Sequence, residues 1–437
     1  MSVAANDKRR LNYLWQYRHK HDDDPLPQKV IEIRREIERI VHIVEDTPST
    51  TKGTVTFVVA ASDAAQASID GAHYKCDGTN DEVEIEAALQ DCADAGGGSV
   101  LLTEGTFTVG ATVDLPASAG LQLCGKGPEA TTIFKAASVA DAVVRANIGS
   151  HDAVFRDFTI DGNRDNNTTG IGLRNQGANR VRVQNVEIKE CDSDGLSSPT
   201  GLFDIWVTDC HVHDNSGAGM EIATTRAHVA NCTSNNNDGR GYNISANFAS
   251  FLGNYAVSNT SVGVRLAGTG SRAIGCYLVS NGGDGIQSNA GNTIVGNRIL
   301  STTGIGINNL AGRSLIVGNE IFQPGQHGIR LNGSHDSLVA DNIIYRPGQT
   351  TTNTYDGLHI TFTNLAKVWG NVVIGNTSAS PKPRYGLNVV NSNCNGVIYV
   401  GNDVGLATNY GTGKYNDAGT GTVNTWPGAA APQGDNF

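Results

Sequence analysis

Short apolar runs alternate with turn-forming residues from Val181 to Val400, and the same order recurs with a fixed period. Each unit holds a branched apolar pair, then Gly, Asn or Asp, a second apolar pair, and a strand-like run opened by Gly. A period of this size predicts stacked units that bury their apolar faces against one another. The opening Gly recurs at intervals of 24, 22, 22, 22, 21, 22, 29 and 29 residues, at Gly195, Gly219, Gly241, Gly263, Gly285, Gly306, Gly328, Gly357 and Gly386.

A second turn site lies ten residues before most of these glycines and somewhat further before the last two. Asn, Asp and Gly tolerate the left-handed backbone that a sharp corner requires. The apolar runs are short and β-branched, which favours strands over helices. The sequence therefore predicts a parallel β-helix of about 22 residues per coil. The second turn site is occupied by Asn185, Asp209, Asn231, Gly253, Gly275, Gly296, Gly318, Asp341 and Gly370.

Side chains alternate within each Gly-led strand, so one set points inward and the other outward. Met220, Ile222, Ile329 and Leu331 belong to the predicted interior. Because neighbouring coils are about 4.8 Å apart, the outward residues form polar ladders on a long surface. The predicted outward set is Asp194, Ser197, Glu221, Arg240, Asn243, Arg265, Asp284, Gln287, His327, Arg330, Asp356 and His359.

The coils from Phe155 to Val404 resemble the right-handed parallel β-helix superfamily of pectate lyases, polygalacturonases and phage tailspikes. The segments 76–89 and 96–107 resemble the N-terminal cap of that superfamily. The resemblance implies an all-β, right-handed, single-stranded parallel β-helix with an N-terminal capping helix. We expect four segments: an N-terminal helical one at 1–52, the cap at 53–135, the β-helix at 136–405 and an irregular tail at 406–437.

The N-terminal segment carries a helical pattern that differs from the rest of the chain. Asp24 and Pro25 are typical of a helix start. Apolar residues follow at alternating spacings of four and three, with β-branched residues at both seam positions, which favours a coiled coil of three or four strands. A helix packed on its own domain is the alternative. The seam residues are Val30, Ile33, Ile37, Ile40 and Val44.

Composition and charge limit the kinds of ligand that we expect the protein to bind. The formal net charge is -11, and the first 46 residues hold equal numbers of acidic and basic residues, so the excess lies in the body. Nucleic acid is therefore not expected as a ligand, because phosphate binding needs a basic track. We find no secretion signal and no membrane span. The eight Cys show neither zinc spacing nor a disulfide framework, and Cys210, Cys232 and Cys276 are expected to stack in the core.

One group of outward residues is a candidate catalytic site. His327 and Asp356 occupy equivalent positions on neighbouring coils, and Arg330 and His359 do so as well. A carboxylate beside a His can orient it as a base or acid, and an Arg can bind a uronate or a developing anion. We predict Asp284, His327 and Asp356 as catalytic residues, with Asp284 two coils away, a spacing that approaches the range for two carboxylates in hydrolysis. Corner residues without catalytic function are the alternative.

Further outward residues are candidates for substrate binding. Glu221, Arg240 and Arg265 join Arg330 and His359 in the predicted substrate-binding set, although a plain surface ladder of Glu221 and Arg240 is the alternative. His211 and His213 share a strand face, but the sequence places no third ligand beside them, so we predict no metal and no cofactor.

The chain most resembles a phage tailspike, because it combines a trimer-prone N-terminal helix, no secretion signal, a capped β-helix and an acidic polar surface. We therefore expect a virion protein that binds a host-surface polysaccharide, assembles as a homotrimer and attaches to phage tail proteins through residues 1–52. Whether the protein also cleaves the polysaccharide is left open. The alternatives are a monomeric secreted polysaccharide lyase, glycoside hydrolase or epimerase, and a non-catalytic adhesin or structural fibre.

Overall fold

A computed structural model describes residues 55–289, 291–376 and 381–424, which wind into a right-handed parallel β-helix. The predicted fold class is confirmed. Each complete coil contributes three strands, which form three faces numbered here in the order that the chain visits them. Face 3 is a separate sheet of 13 strands, whereas faces 1 and 2 join into one sheet of 26 because Val154–Asp161 and Val181–Lys189 belong to both. The predicted N-terminal coiled coil at 1–52 lies outside the described residues.

The strands of the three faces are short, and most span three residues. Face 1 consists of Tyr74–Lys75, Val55–Ala60, Gly98–Leu102, Leu121–Cys124, Val154–Asp161, Val181–Lys189, Phe203–Thr208, Thr225–Ala230, Ser250–Leu252, Arg272–Ile274, Thr293–Val295, Leu315–Val317, Leu338–Ala340, Lys367–Trp369, Ile398–Val400 and Val423–Asn424. Face 2 adds Gly105–Val109, Thr131–Lys135, His211–His213, Thr233–Asn235, Tyr255–Val257, Tyr277–Val279, Arg298–Leu300, Glu320–Phe322, Ile343–Tyr345 and Val372–Ile374. Face 3 consists of Val113–Leu115, Val144–Ala146, Leu173–Asn175, Leu196–Ser198, Met220–Ile222, Tyr242–Ile244, Val264–Leu266, Ile286–Ser288, Ile307–Asn309, Ile329–Asn332, Leu358–Thr361, Tyr385–Val389 and Gly413–Asp417.

The interior is the predicted apolar stack. Met220, Ile222, Ile329 and Leu331 are all buried, as the alternation along the Gly-led strands predicts. The Gly that opens each of these strands is required by close approach: a Cβ at Gly285 would lie 2.5 Å from Ile299 Cγ2. The repeating Gly therefore marks the positions where the backbone passes directly over inward side chains.

The predicted corner residues adopt the left-handed backbone. The nine positions from Asn185 to Gly370 all have positive φ, between 51° and 65°. Two further corners of most coils are also left-handed, yet they carry residues such as Ser258, Gln323, Arg226 and Phe248, which the sequence does not mark as turns. Most coils thus turn through left-handed residues at three corners, but the sequence repeat reveals only one of these three corners.

Buried asparagines directly follow the left-handed residue at two of the corners. Asn319 is representative: its Nδ2 donates to the Ile294 carbonyl and to Asn342 Oδ1, at 3.0 and 2.8 Å. Its Oδ1 accepts from the backbone N–H and from Nδ2 of Asn297. Each side chain thus satisfies backbone groups that the corner removes from the sheet. The two ladders contain Asn215, Asn237, Asn259 and Asn281, and Asn297, Asn319, Asn342, Asn371 and Asn402.

Cysteines occupy the same kind of position at the start of the second ladder. All eight Cys are buried and free. Cys232 N–H donates to Asn254 Oδ1 and Cys276 N–H donates to Asn297 Oδ1, so thiols and amides share one column. Cys210, Cys232 and Cys276 are buried, as predicted.

The predicted capping helix is confirmed. Gln66–Asp70 and Glu82–Asp94 are α-helices, and Ile85, Ala88, Leu89 and Cys92 are buried. Val83, on the opposite side of the second helix, is 59% exposed. Before this helix, Thr79 bonds to Asp77, and Glu82 in its first turn accepts from the Gly110 N–H.

Both ends of the β-helix extend beyond the predicted segment. The strands Gly413–Asp417 and Val423–Asn424 pair with Tyr385–Val389 and Ile398–Val400, so coil structure continues into the segment expected to be an irregular tail. Short 3₁₀ helices lie at Arg164–Asn166 and Ala407–Asn409. Among the described residues, no helix has the length and apolarity needed to span a bilayer.

We expect Asn319→Ala to destabilise the fold by at least about 2 kcal/mol, because it leaves two buried donors of Asn297 without acceptors. The comparison is a urea unfolding curve of the variant beside the wild type. Asn393→Ala is the matched control, since Asn393 is exposed. Equal midpoints for the two variants would contradict a stabilising function of the ladder.

Candidate functional site

The outward side chains at the middle position of the face 3 strands form a continuous column, which we call the outer ladder. Its strands pair in register from the cap to the C-terminal coils. It carries four arginines and two carboxylates, although the chain as a whole has a net charge of -11. The ladder runs Asp114, Arg145, Arg174, Ser197, Glu221, Asn243, Arg265, Gln287, Asn308, Arg330, His359, Asn388 and Asn416.

Asp356 lies beneath the C-terminal part of this ladder and is 0% exposed. The expectation that it lies on the outer surface is therefore wrong, because side chains of its own and the next coil cover it. His359 Nδ1 is 2.7 Å from Asp356 Oδ2, and Arg384 donates to both carboxylate oxygens at 3.0 and 2.7 Å. Asn388 Nδ2 donates to Oδ2 at 2.8 Å. The carboxylate thus anchors three side chains of the site.

These partners determine the charge of the cluster. Burial raises the pKa of Asp356, but hydrogen bonds from His359, Arg384 and Asn388 outweigh burial and hold that pKa below its ordinary value. The ionised carboxylate in turn raises the pKa of Arg384. Asp356 is therefore an anion at neutral pH and selects the His359 tautomer that carries its proton on Nδ1.

His327 packs against the same group but stays neutral. Its ring centroid is 4.0 Å from that of His359, and its Nδ1 accepts the Asp356 backbone N–H at 2.9 Å. Burial, with the nearby His359, Arg330 and Arg384, lowers the pKa of His327 to about 3, although Asp356 opposes the shift. With its lone pair already used, His327 supports the cluster as a packing and hydrogen-bonding residue.

The outward part of the cluster is free to react. His359 is 14% exposed at its side chain, and no hydrogen bond of its Nε2 is found within 55–289, 291–376 and 381–424. Arg330 is its register partner on the neighbouring strand. The Arg330 Nε is buried and makes no hydrogen bond to the described residues. The pair can thus accept a proton at His359 and hold an anion at Arg330.

Asp284 is not part of this cluster. The register places it two coils from His327 but three from Asp356, which is about 14 Å. Its oxygens accept from the Ile305 N–H and from Asn308 Nδ2, both at 2.8 Å. The predicted carboxylate pair for inverting hydrolysis is therefore not formed with Asp356, because that pair needs about 6.5–9.5 Å.

The other predicted binding residues lie further along the ladder. Glu221 accepts from Asn243 Nδ2 at 2.6 Å, and Arg265 donates to Asn243 Oδ1 at 3.2 Å. Burial and the nearby Asp194 raise the pKa of Glu221, with Asn243 and the arginines opposing. Arg240 has a buried Nε without a partner among the described residues. Glu221 is six coil steps, roughly 29 Å, from His359, so these residues form a separate part of the surface.

The sequence analysis missed Arg384 and Asn388, which hold Asp356 in place. The signal was available, because extending the register one coil beyond Leu358–Thr361 pairs Asn388 with His359. The last His–Asp combination places a carboxylate between two coils, and the residues that neutralise it must follow in the next coil. A buried charge needs such partners.

Comparison with known proteins identifies the class. The right-handed β-helix region family matches at residues 144–299 and 247–404, more than half of the chain, and the protein belongs to this family. Among curated proteins, mannuronan C5-epimerase AlgE4 of Azotobacter vinelandii is 30% identical over 156 residues. The match spans 31% of this chain but only 28% of that relative.

Solved structures agree on the fold. The A-module of mannuronan C-5 epimerase AlgE6 of Azotobacter vinelandii has a TM-score of 0.55 at 19% identity, covering 80% of this chain and 97% of that one. The Dettilon tailspike protein has a TM-score of 0.50 at 14% identity, covering 76% of this chain and 64% of that one. The resemblance to tailspike and related β-helix proteins is thus confirmed at the level of fold.

His327 makes the stability of the protein pH-dependent. Because the folded chain keeps it neutral down to about pH 3, while the unfolded chain protonates it below about pH 6.5, stability falls as the pH drops through this window. We expect wild-type stability to fall more steeply than that of His327→Gln between pH 6 and pH 4, by about 1.4 kcal/mol per pH unit. Chemical unfolding at several pH values provides the measurement, and parallel curves for the two proteins would contradict a buried neutral His327.

Proposed function

We propose that this protein binds an anionic, uronate-containing polysaccharide along the outer ladder and transforms it at His359. The observation that carries the proposal is the buried Asp356, which orients His359 next to Arg330 on an open polar surface. The chain has a net charge of -11, yet the ladder presents more arginines than carboxylates. That local charge favours an anionic ligand over the neutral one that the whole composition suggests.

The proposed reaction begins with removal of the C5 proton of a uronate. His359 Nε2 takes this proton, and the electron pair moves toward the sugar carboxylate, where Arg330 stabilises the developing charge. In an elimination the C4–oxygen bond then breaks, and the departing oxygen takes the proton from the imidazolium. In an epimerisation a proton from solvent returns to C5 from the other face, and the imidazolium releases its proton to solvent. Hydrolysis by two carboxylates is not favoured, because Asp356 is buried and fully hydrogen-bonded.

The relatives support this choice of substrate. The curated proteins with sequence similarity are mannuronan epimerases, and mannuronan is a uronate polymer. Because the match covers only a small part of each relative, it supports the class of ligand and does not extend to the epimerase reaction itself.

A place on a phage tail is the second part of the proposal. Tailspikes share this fold, and the heptad pattern at residues 30–44 favours three chains. Three linked ladders would bind a surface polysaccharide with an avidity beyond that of one site. In this view residues 1–52 attach the spike to phage tail proteins and the coils face the host.

In deuterated buffer we expect the wild type to exchange or eliminate the C5 proton of mannuronan. Proton NMR detects exchange as deuterium incorporated at C5, and elimination as the signals of an unsaturated uronate. His359→Ala should lose both, because no other described base on the ladder is held by Asp356. It should retain binding of the polymer. Arg330→Ala should weaken binding about tenfold or more, the expected size for a charged hydrogen bond.

His335→Ala is the control for these variants. His335 is exposed, lies off the outer ladder and accepts the Asn364 N–H, so its removal should leave exchange and binding unchanged. A wild type that binds neither mannuronan nor any other uronate polymer in the same assay would refute the proposal. If the wild type binds a uronate polymer but neither exchanges nor eliminates its C5 proton, the catalytic part of the proposal would be refuted and the protein would act as an adhesin.

The tailspike assignment has its own test. We expect sedimentation to give a trimer for the full chain and a monomer for a version lacking residues 1–51, since the heptad pattern lies within them. A monomeric full chain would contradict the spike and favour a free-standing carbohydrate enzyme. A trimer that persists after truncation would assign assembly to the β-helix instead.

A further inference from the structure

Two histidines and a glutamate converge on the outer surface of face 2, away from the outer ladder. Glu187 pairs in register with His211 across neighbouring strands, and His213 follows on the same side of its strand. The two imidazole rings stack with centroids 4.2 Å apart. His213 Nε2 is 3.0 Å from Glu187 Oε1, and one ligand atom from each of the three residues lies within 4.8 Å of the others.

The opposite atom of each ligand is held by another side chain. His213 Nδ1 is 2.5 Å from Asp214 Oδ2, Glu187 Oε2 accepts from Thr159 at 2.8 Å, and His211 Nε2 is 2.6 Å from Asn235 Oδ1. Carboxylate or carbonyl partners on the far nitrogen are characteristic of metal-binding histidines, because they fix the tautomer and the ring orientation. His213 Nε2 and Glu187 Oε1 remain directed at each other, and His211 offers a ring nitrogen to the same cluster.

We propose that Glu187, His211 and His213 form a binding site for a divalent transition-metal ion of the zinc type. Imidazole and carboxylate are ligands that Zn²⁺ prefers, and tetrahedral bonds of about 2.0 Å place ligand atoms about 3.3 Å apart. The separations in the cluster are close enough for small rotations of the side chains to reach that geometry. Ca²⁺ is disfavoured, because it requires six or more oxygen ligands.

The charges around the cluster fit a cation. Glu187 contributes one carboxylate to the cluster. Lys189 Nζ is 3.8 Å from Glu187 Oε2, the oxygen that faces away from His213, while Asp214 adds a second carboxylate. Because His211 is exposed, a fourth position on the ion is open to water.

A second of the three metal-like groups among the described residues is a weaker candidate. His327, Asp356 and His359 also lie close together. However, Arg384 occupies both oxygens of Asp356, and the Asp356 N–H occupies His327 Nδ1. A cation there would have to displace the Arg384 guanidinium from both oxygens of Asp356, whereas the face 2 cluster needs only to release one hydrogen bond.

Calorimetric titration of the full chain with ZnCl₂ at pH 7.5 tests the proposal. The double variant His211→Ala/His213→Ala should bind one equivalent less than the wild type, and Glu187→Gln should weaken the same equivalent. With Co²⁺ as the probe, the wild type should show the strong visible absorption of a four-coordinate ion, and the double variant should lose it. Counting equivalents separates this site from binding by other histidines in the chain.

His359→Gln is the matched control, and it should keep the wild-type stoichiometry. Circular dichroism in the absence of metal verifies the fold of each variant. If the double variant fails to fold, His211→Ala alone carries the test, because this side chain is exposed. Equal stoichiometry in the wild type and in the folded His211 variants would overturn the proposal, as would a wild type that binds neither ion.

Discussion

The structure depends on how its corners satisfy their backbone hydrogen bonds. Each coil leaves the sheet at three corners, where buried N–H and C=O groups lose their strand partners, and an unpaired buried group costs about 1–3 kcal/mol. The Asn215–Asn281 and Asn297–Asn402 ladders remove this cost by repeating one amide network from coil to coil. Because each amide both donates to one coil and accepts from the other, the corners fix the register of the coils.

Fixed register is what turns separate polar residues into a surface. With Asn319 and Asn342 stacked at the corner, the strands Ile329–Asn332 and Leu358–Thr361 pair without slippage. Arg330 therefore falls beside His359, although 28 intervening residues separate them in the chain. The same register brings Glu187 next to His211 on face 2. Both candidate sites follow from the corners, and neither depends on a specialised loop.

The repeat allowed the fold to be predicted, because its signals are local. Gly at positions of close approach, Gly or Asn at a left-handed corner and alternating burial can each be read from neighbouring residues. The other corners were missed, since Arg226 and Phe248 adopt left-handed backbone only because stacking imposes it. Likewise, Asp356 was expected on the outer surface, but it is buried beneath Arg384 and Asn388 one coil further on.

The burial of Asp356 distinguishes the candidate site from a simple surface ladder. An exposed carboxylate would be hydrated and would hold a histidine only weakly, whereas a buried one must keep its partners. Arg384 and Asn388 offset the desolvation of the charge, and Oδ2, which accepts from both, also bonds to His359. The imidazole is consequently fixed before any ligand arrives, with its second nitrogen beside Arg330. The buried charge is not required for the stability of the coil stack, since an apolar residue at position 356 would pack there without hydrogen-bond partners.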